Sequence, residues 1–173
     1  MPNLPLIEDN SDARIAKIFK EVTDGGRAFP NLYRMIGNSR AMLQAWCDMA
    51  WPLRNAATTP RALRELMILR GAQIMGATYE WVHHLDMARA AGLAPEKIDA
   101  LKDGYTSPVF DTKERIALRL AEEITHGPGA SAEAMAEARK HFSDGEIVEL
   151  ALTSSFYACV GRILHSLDVP LEK

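Results

Sequence analysis

Residues 144–167 read as one long helix in which Ile147, Val148, Leu150, Leu152, Phe156, Val160, Ile163 and Leu164 spread apolar side chains over much of the circumference. A helix apolar on more than one side must be covered on more than one side, so it belongs at the centre of a core or in a subunit interface. No segment of the chain alternates apolar and polar residues over a useful length, so no sheet is expected to cover it. The expected fold class is all-α, an antiparallel helical bundle with short connections.

Punctuation along the chain supports that reading. Residues 1–10 read as an extended arm, and Ser11 or Asp12 can cap a helix running to about Val22, closed by Gly25-Gly26. Phe29-Pro30-Asn31 opens a short piece over 32–36. Asn38 or Ser39 starts a helix over 40–55 in which Pro52 predicts a kink or an early end. Thr58-Thr59-Pro60 predicts a threonine cap with proline at the first helical position, and Gly76 stops that helix. Thr78 is expected to cap 79–91, which Gly92 closes in the left-handed region. Ala94-Pro95-Glu96, then Asp111 or Thr112, Ser131 and Ser143 start the remaining helices, the first to about Asp103, the next two over 113–126 and 132–142. No linker divides the sequence, and 173 residues suit a single domain over 1–173.

Apolar residues at 47% and charged residues at 25% are ordinary for a soluble globular protein, and a net charge of -3 recommends neither nucleic acid nor an anionic membrane as a partner. No apolar run of about 18 residues suggests a membrane span. The first residues, MPNLPLIEDNSDAR, lack the basic start and apolar core of an export signal, so the expected compartment is cytoplasmic. Cys47 and Cys159 are then expected to be reduced thiols in helical sequence rather than a disulfide.

The chemistry concentrates between Glu65 and Leu93, where Glu65, Glu80, His83 and His84 stand in otherwise apolar, helix-forming sequence. Glu80, His83 and His84 lie at i, i+3 and i+4 and share a helix face. Successive histidines are about 100° apart around a helix, so at most one points ideally at a given target. A carboxylate and an imidazole in an apolar cleft have their pKa values moved toward neutrality. Such a pair can take a proton from carbon and return it elsewhere. That suits decarboxylation, lactone isomerisation or tautomerisation. Arg70 could hold a substrate carboxylate by a two-pronged contact, with Arg162 and Tyr79 as weaker candidates and Trp81 as core or substrate platform.

Plainer readings exist for each residue. Glu65 can pair with Arg61 or Arg64 on its own helix, Glu80 can sit in a first turn because the helix dipole favours acid there, and either histidine can be a satisfied core residue. A metal reading is weaker. Glu80-x-x-His83 is one motif where a di-iron bundle needs two, and adjacent histidines are poorly oriented for one zinc ion. No metal is expected.

Three stretches, RELMILR over 64–70, GATYEWVHH over 76–84 and ARAAGL over 88–93, resemble the carboxymuconolactone decarboxylase / alkylhydroperoxidase D-like family. The resemblance covers about 45–125, leaving an N-terminal extension of roughly residues 1–40 that could cap the pocket or another subunit. It implies an all-helical fold and self-association as a trimer or hexamer, which gives the apolar final helix a partner. In the family's peroxidase branch a glutamate is followed by a Cys-x-x-Cys pair and then a histidine. Here Glu65 and His84 match the glutamate and histidine, Ala77 and Glu80 occupy the cysteine positions, and Tyr79 stands where a relay residue would be. Thiol peroxidase chemistry needs a thiolate and a resolving thiol, which this motif lacks. The resemblance then implies the decarboxylase-like branch, acting on a small carboxylated lactone without metal or organic cofactor. Glu80 is the candidate acid or base, His84 its proton partner, Glu65 an orienter or relay, and His83 a further donor. A non-catalytic oligomeric binding protein of the same fold is the alternative, and a thiol peroxidase-related protein the lesser one.

Overall fold

The computed structural model describes residues 3–8, 12–24 and 28–172, and the described residues fall into two compact units, Met1–Asn55 with Ile163–Lys173, and Ala56–Arg162. Among the described residues there are nine α-helices and no strand.

The first unit carries α1 (Ala13–Thr23), α2 (Asn31–Ile36) and α3 (Arg40–Asn55). Asp12 caps α1 through its carboxylate, accepting from the Arg14 and Ile15 amides. The alternative cap Ser11 and the Gly25-Gly26 stop lie outside the described residues. Pro52 does not end α3, which continues to Asn55. The chain end is tied to α2: the Asn31 amide donates to Glu172 Oε1 at 2.6 Å and Asn31 Nδ2 to the Pro170 carbonyl at 3.1 Å.

The second unit is organised around α4 (Arg61–Met75), which is buried at every residue from Leu63 to Leu69. Around it stand α5 (Thr78–Ala90), α6 (Pro95–Ala100) with a 3-10 turn at Leu101–Asp103, α7 (Thr112–His126), α8 (Ala132–Ala138) and most of α9 (Asp144–Leu167). Two faces of α4 seed two cores. Leu63 and Met67 pack with Ile116, Leu120, Phe142, Ile147 and Leu150. Leu66 and Leu69 pack with Ala88, Leu93, Ile98, Leu101, Phe110 and Leu118. With both flanks covered, a polar residue on α4 between them has no route to water, and Glu65 is such a residue.

The turn between α4 and α5 follows the glycine rule, since Gly76 takes φ 63 in the left-handed region that L side chains avoid. The threonine caps differ from expectation. Pro60 is itself the N-cap of α4, and the Thr58 and Thr59 amides donate to the two oxygens of Glu149 from α9, each at 2.8 Å. Thr78 is the first residue of α5, and its N-cap, Ala77, offers no side-chain bond. Helix α8 ends at Ala138, short of the expected 142. Asp111 forms a capping box with Glu114 as expected.

Helix α9 corrects the reading that no apolar run is long enough to span a membrane. Its 24 residues, with a best-window mean hydropathy of 1.4, pass on length and composition alone. Half of that window is buried inside the protein.

Candidate active site

Glu65 projects from the middle of α4 and is 0% exposed. Its Oε2 lies 2.7 Å from His84 Nδ1 on α5, and Arg61, one turn earlier on α4, pairs with its Oε1. Burial pushes the Glu65 carboxyl up. The His84 hydrogen bond and charge, joined by Arg61, outweigh that and hold it below the usual carboxylate range. An ionised carboxylate accepts but cannot donate, so the proton between the two groups belongs to Nδ1. Tyr157 of α9 stands edge-on to the His84 ring, centroids 4.8 Å apart and planes at 85°.

Glu80 is one turn before His84 on α5, so one helix presents both. It is 3% exposed, and its Oε2 is buried without a hydrogen-bond partner. Burial, and then the negative charge of Glu65, push its carboxyl well above the ordinary range. The two buried carboxyls are thereby pushed in opposite directions, Glu65 toward its charged form and Glu80 toward its neutral one. Environments that separate titratable groups in this way assign acid and base roles in enzyme sites.

The remaining expected residues divide. His83 is half-buried and faces Tyr79, with ring centroids 4.3 Å apart, so the two histidines serve different neighbours. Trp81 packs against the α4–α5–α6 core and also lines a cleft of ≈ 200 Å³ at the α4–α5 turn, with Ala72, Gln73, Gly76, Ala77 and Thr78. Glu65, Glu80 and His84 do not line that cleft. Arg70 is held elsewhere: its Nε donates to Glu122 at 2.8 Å and its Nη1 to Gln73 at 2.5 Å and to the Leu101 carbonyl at 2.9 Å. That bonding joins α4 to α7 and the 3-10 turn, so the guanidinium fork expected for a substrate carboxylate is already engaged. Arg162 turns onto its own helix, donating to the Ala158 carbonyl at 3.1 Å.

Among the described residues, no group of three or more His, Cys, Asp or Glu side chains is arranged to hold a metal ion. Both cysteines are free thiols: Cys159 is exposed, and Cys47 is buried in the first unit with its thiol pushed up to about 12, by burial first and then Asp48.

Two residues of the site stand outside the set expected from sequence. Arg61 is visible as an i, i+4 partner of Glu65, but only burial distinguishes this pair from an ordinary surface one. Tyr157 gives no sequence signal, because an aromatic in an apolar helix reads as core.

Residues 40–123 match the family model described as Carboxymuconolactone decarboxylase family. The fold is similar to that of an uncharacterized peroxidase-related protein from Silicibacter sp. TM1040, at TM-score 0.85 and 19% identity, covering 99% of this chain and 92% of that one. A peroxidase-related protein from Ralstonia eutropha JMP134, described as an alkylhydroperoxidase AhpD core, gives TM-score 0.83 and 17% identity over 99% of this chain and 93% of that one. The debrominase Bmp8, as a cysteine-to-alanine variant in complex with 2,3,4-tribromopyrrole, gives 0.80 and 18% over 98% and 91%. At such identities the likeness is one of fold. No curated protein matches the sequence.

Proposed function

We propose that this chain, whose residues 40–123 match the carboxymuconolactone decarboxylase family model, is a cofactor-independent lyase or isomerase acting on a small, carboxylated, lactone-like metabolite. The observation that carries the reading is the orphaned, buried oxygen of Glu80 one helical turn from the Glu65–His84 pair, with the two carboxyls pushed in opposite directions.

In the lyase form, the bond from carbon to the departing carboxylate breaks, CO₂ leaves, and the electron pair passes into an enolate. Protonated Glu80 gives its proton to the carbanionic carbon and regains one from water. In the isomerase form, His84 Nε2 takes a proton from carbon, Glu80 delivers one to the far end of the allylic system, and the proton on His84 restores Glu80. Glu65 holds the ring in the required tautomer and stabilises the imidazolium, with Arg61 keeping Glu65 charged. General acid–base steps of this kind contribute about 10²- to 10⁴-fold each. The names of the fold neighbours raise thiol chemistry, but Ala77 and Glu80 occupy the motif's sulfur positions and the Cys47 thiol is buried and weakly acidic.

A second reading is a non-catalytic oligomeric binding protein. It is favoured by the cleft at the α4–α5 turn, whose lining excludes Glu65, Glu80 and His84. Assay of wild type, Glu80→Gln and His84→Ala on muconolactone-type acids separates the two. The enzyme reading expects turnover by wild type and loss in both variants. Equal inertness of three folded proteins across a broad acid panel refutes it.

A further inference from the structure

The bond from Nδ1 to Glu65 holds the His84 ring at one atom, and one contact does not fix a plane. The torsion that turns an imidazole is broad and roughly two-fold, so the orientation of such a ring comes from what packs against it. Here that neighbour is Tyr157 of α9, whose ring crosses the imidazole at 85° with centroids 4.8 Å apart. Tyr157 is itself buried, and the Phe156 ring stands perpendicular to it, at 5.5 Å and 90°.

Helix α9 is tied to both ends of α4, on either side of Tyr157. Two turns before Tyr157, the Glu149 carboxylate accepts from the Thr58 amide at 2.8 Å, the Thr58 hydroxyl at 3.0 Å and the Thr59 amide at 2.8 Å. The Thr59 hydroxyl accepts in turn from Arg64, the chain neighbour of Glu65, at 3.1 Å. One turn after Tyr157, Gly161 lies against the last residue of α4. A Cβ there would stand 2.9 Å from Met75 Sδ and 3.7 Å from the Ala77 Cβ, so the missing side chain is what lets α9 come this close. The two ties set the register of α9, and that register puts Tyr157 across from His84.

We propose that Tyr157 is the positioning residue of the Glu65–His84 pair, its ring holding the imidazole plane that the single bond to Glu65 leaves free. Glu65 then sets one edge of the imidazole, Tyr157 sets its plane, and the ring presents a fixed direction toward Glu80 and whatever binds beside it. The effect of Tyr157 on turnover rests on the acid–base reading above, whereas its hold on the imidazole does not.

NMR of the full-length protein carrying isotope-labelled histidine tests the two separately. A buried Nδ1 proton bonded to a carboxylate gives a resonance protected from exchange with water, assigned among the five histidines by its loss in His84→Ala. Wild type and Tyr157→Phe, which keeps the ring, are expected to show it, and Tyr157→Leu to lose it. Leu150→Ala truncates α9 where it packs on Leu63 and Met67, and should lower stability while keeping the resonance. Should Tyr157→Leu not fold, Tyr157→Met, which refills the space without a planar ring, is read in its place. On a muconolactone-type acid, kcat should fall about 10²-fold in Tyr157→Leu with KM little changed, and Tyr157→Phe should match wild type. An inert wild type that still shows this pattern of resonances sinks the lyase or isomerase reading and leaves the positioning role standing. A resonance retained without the ring, lost in Tyr157→Phe, or lost equally in Leu150→Ala would each overturn that role.

Discussion

Glu65 Oε2 and His84 Nδ1 stand 2.7 Å apart, at 0% and 3% exposure, so the pair is a buried hydrogen-bonded dyad that joins α4 to α5. The cost of burying the Glu65 carboxylate is offset first by the His84 hydrogen bond and charge and then by Arg61. Removing one member of such a set costs more than the pair contributes, because it strands the others.

Glu65→Gln is therefore expected to lower the stability of the fold by about 3 kcal/mol, read by chemical denaturation at neutral pH. The sign with pH follows from its depressed carboxyl. Glu65 contributes stability above its unfolded value near 4.5, lost as pH falls through the lower folded value. The variant should show a flatter acid limb. Its turnover should fall by roughly 10²- to 10⁴-fold, with a changed pH profile, because the His84 tautomer is no longer enforced.

Glu80→Gln has the opposite stability signature. The raised carboxyl of Glu80 favours the fold below the unfolded value of 4.5, and that contribution is lost as pH rises through the folded value. Glutamine copies the shape of the neutral acid without its proton. The variant should match wild type in mildly acid solution and exceed it in stability on the alkaline side, as read by melting temperature against pH. Turnover should fall by roughly 10²- to 10⁴-fold while the fold persists.

Glu149→Gln tests how α4 is started. The Glu149 carboxylate, partly exposed on α9, accepts from the Thr58 and Thr59 amides, and those bonds overcome its partial burial to bring it to about 2. The loss should resemble that of a helix cap, about 1 kcal/mol. It should vanish as pH falls from 4.5 toward 2, where wild type loses the same contribution. Acid titration of both proteins by circular dichroism measures the difference.

Much of the helical fold is legible locally. Gly76, Gly92, Asp111 and Ser143 announce their boundaries because each acts on amides or dihedrals within a few residues. Two of the differences involve a partner distant in sequence. Thr59 departs from the expected cap: its hydroxyl accepts from Arg64, and its amide donates to Glu149, 90 residues away. Arg70 is not held open for a substrate because Glu122, 52 residues away, meets it once α4 packs on α7. Glu65, Glu80 and His84 are legible as a set from spacing and family resemblance. What spacing cannot convey is their burial, and burial is what pushes the Glu80 carboxyl up. Tyr157 was hidden for the same reason, since only tertiary packing brings α9 against the His84 ring.

The most direct test of acid–base chemistry at Glu80 and His84 is turnover of a muconolactone-type acid in D₂O, with deuterium located in the product by NMR. Wild type should place one deuterium on the carbon that lost CO₂ or gained the shifted proton, with Glu80→Gln and His84→Ala forming labelled product roughly 10²- to 10⁴-fold more slowly. Product formed at the wild-type rate by Glu80→Gln, or no product from wild type with any acid tried, would contradict it.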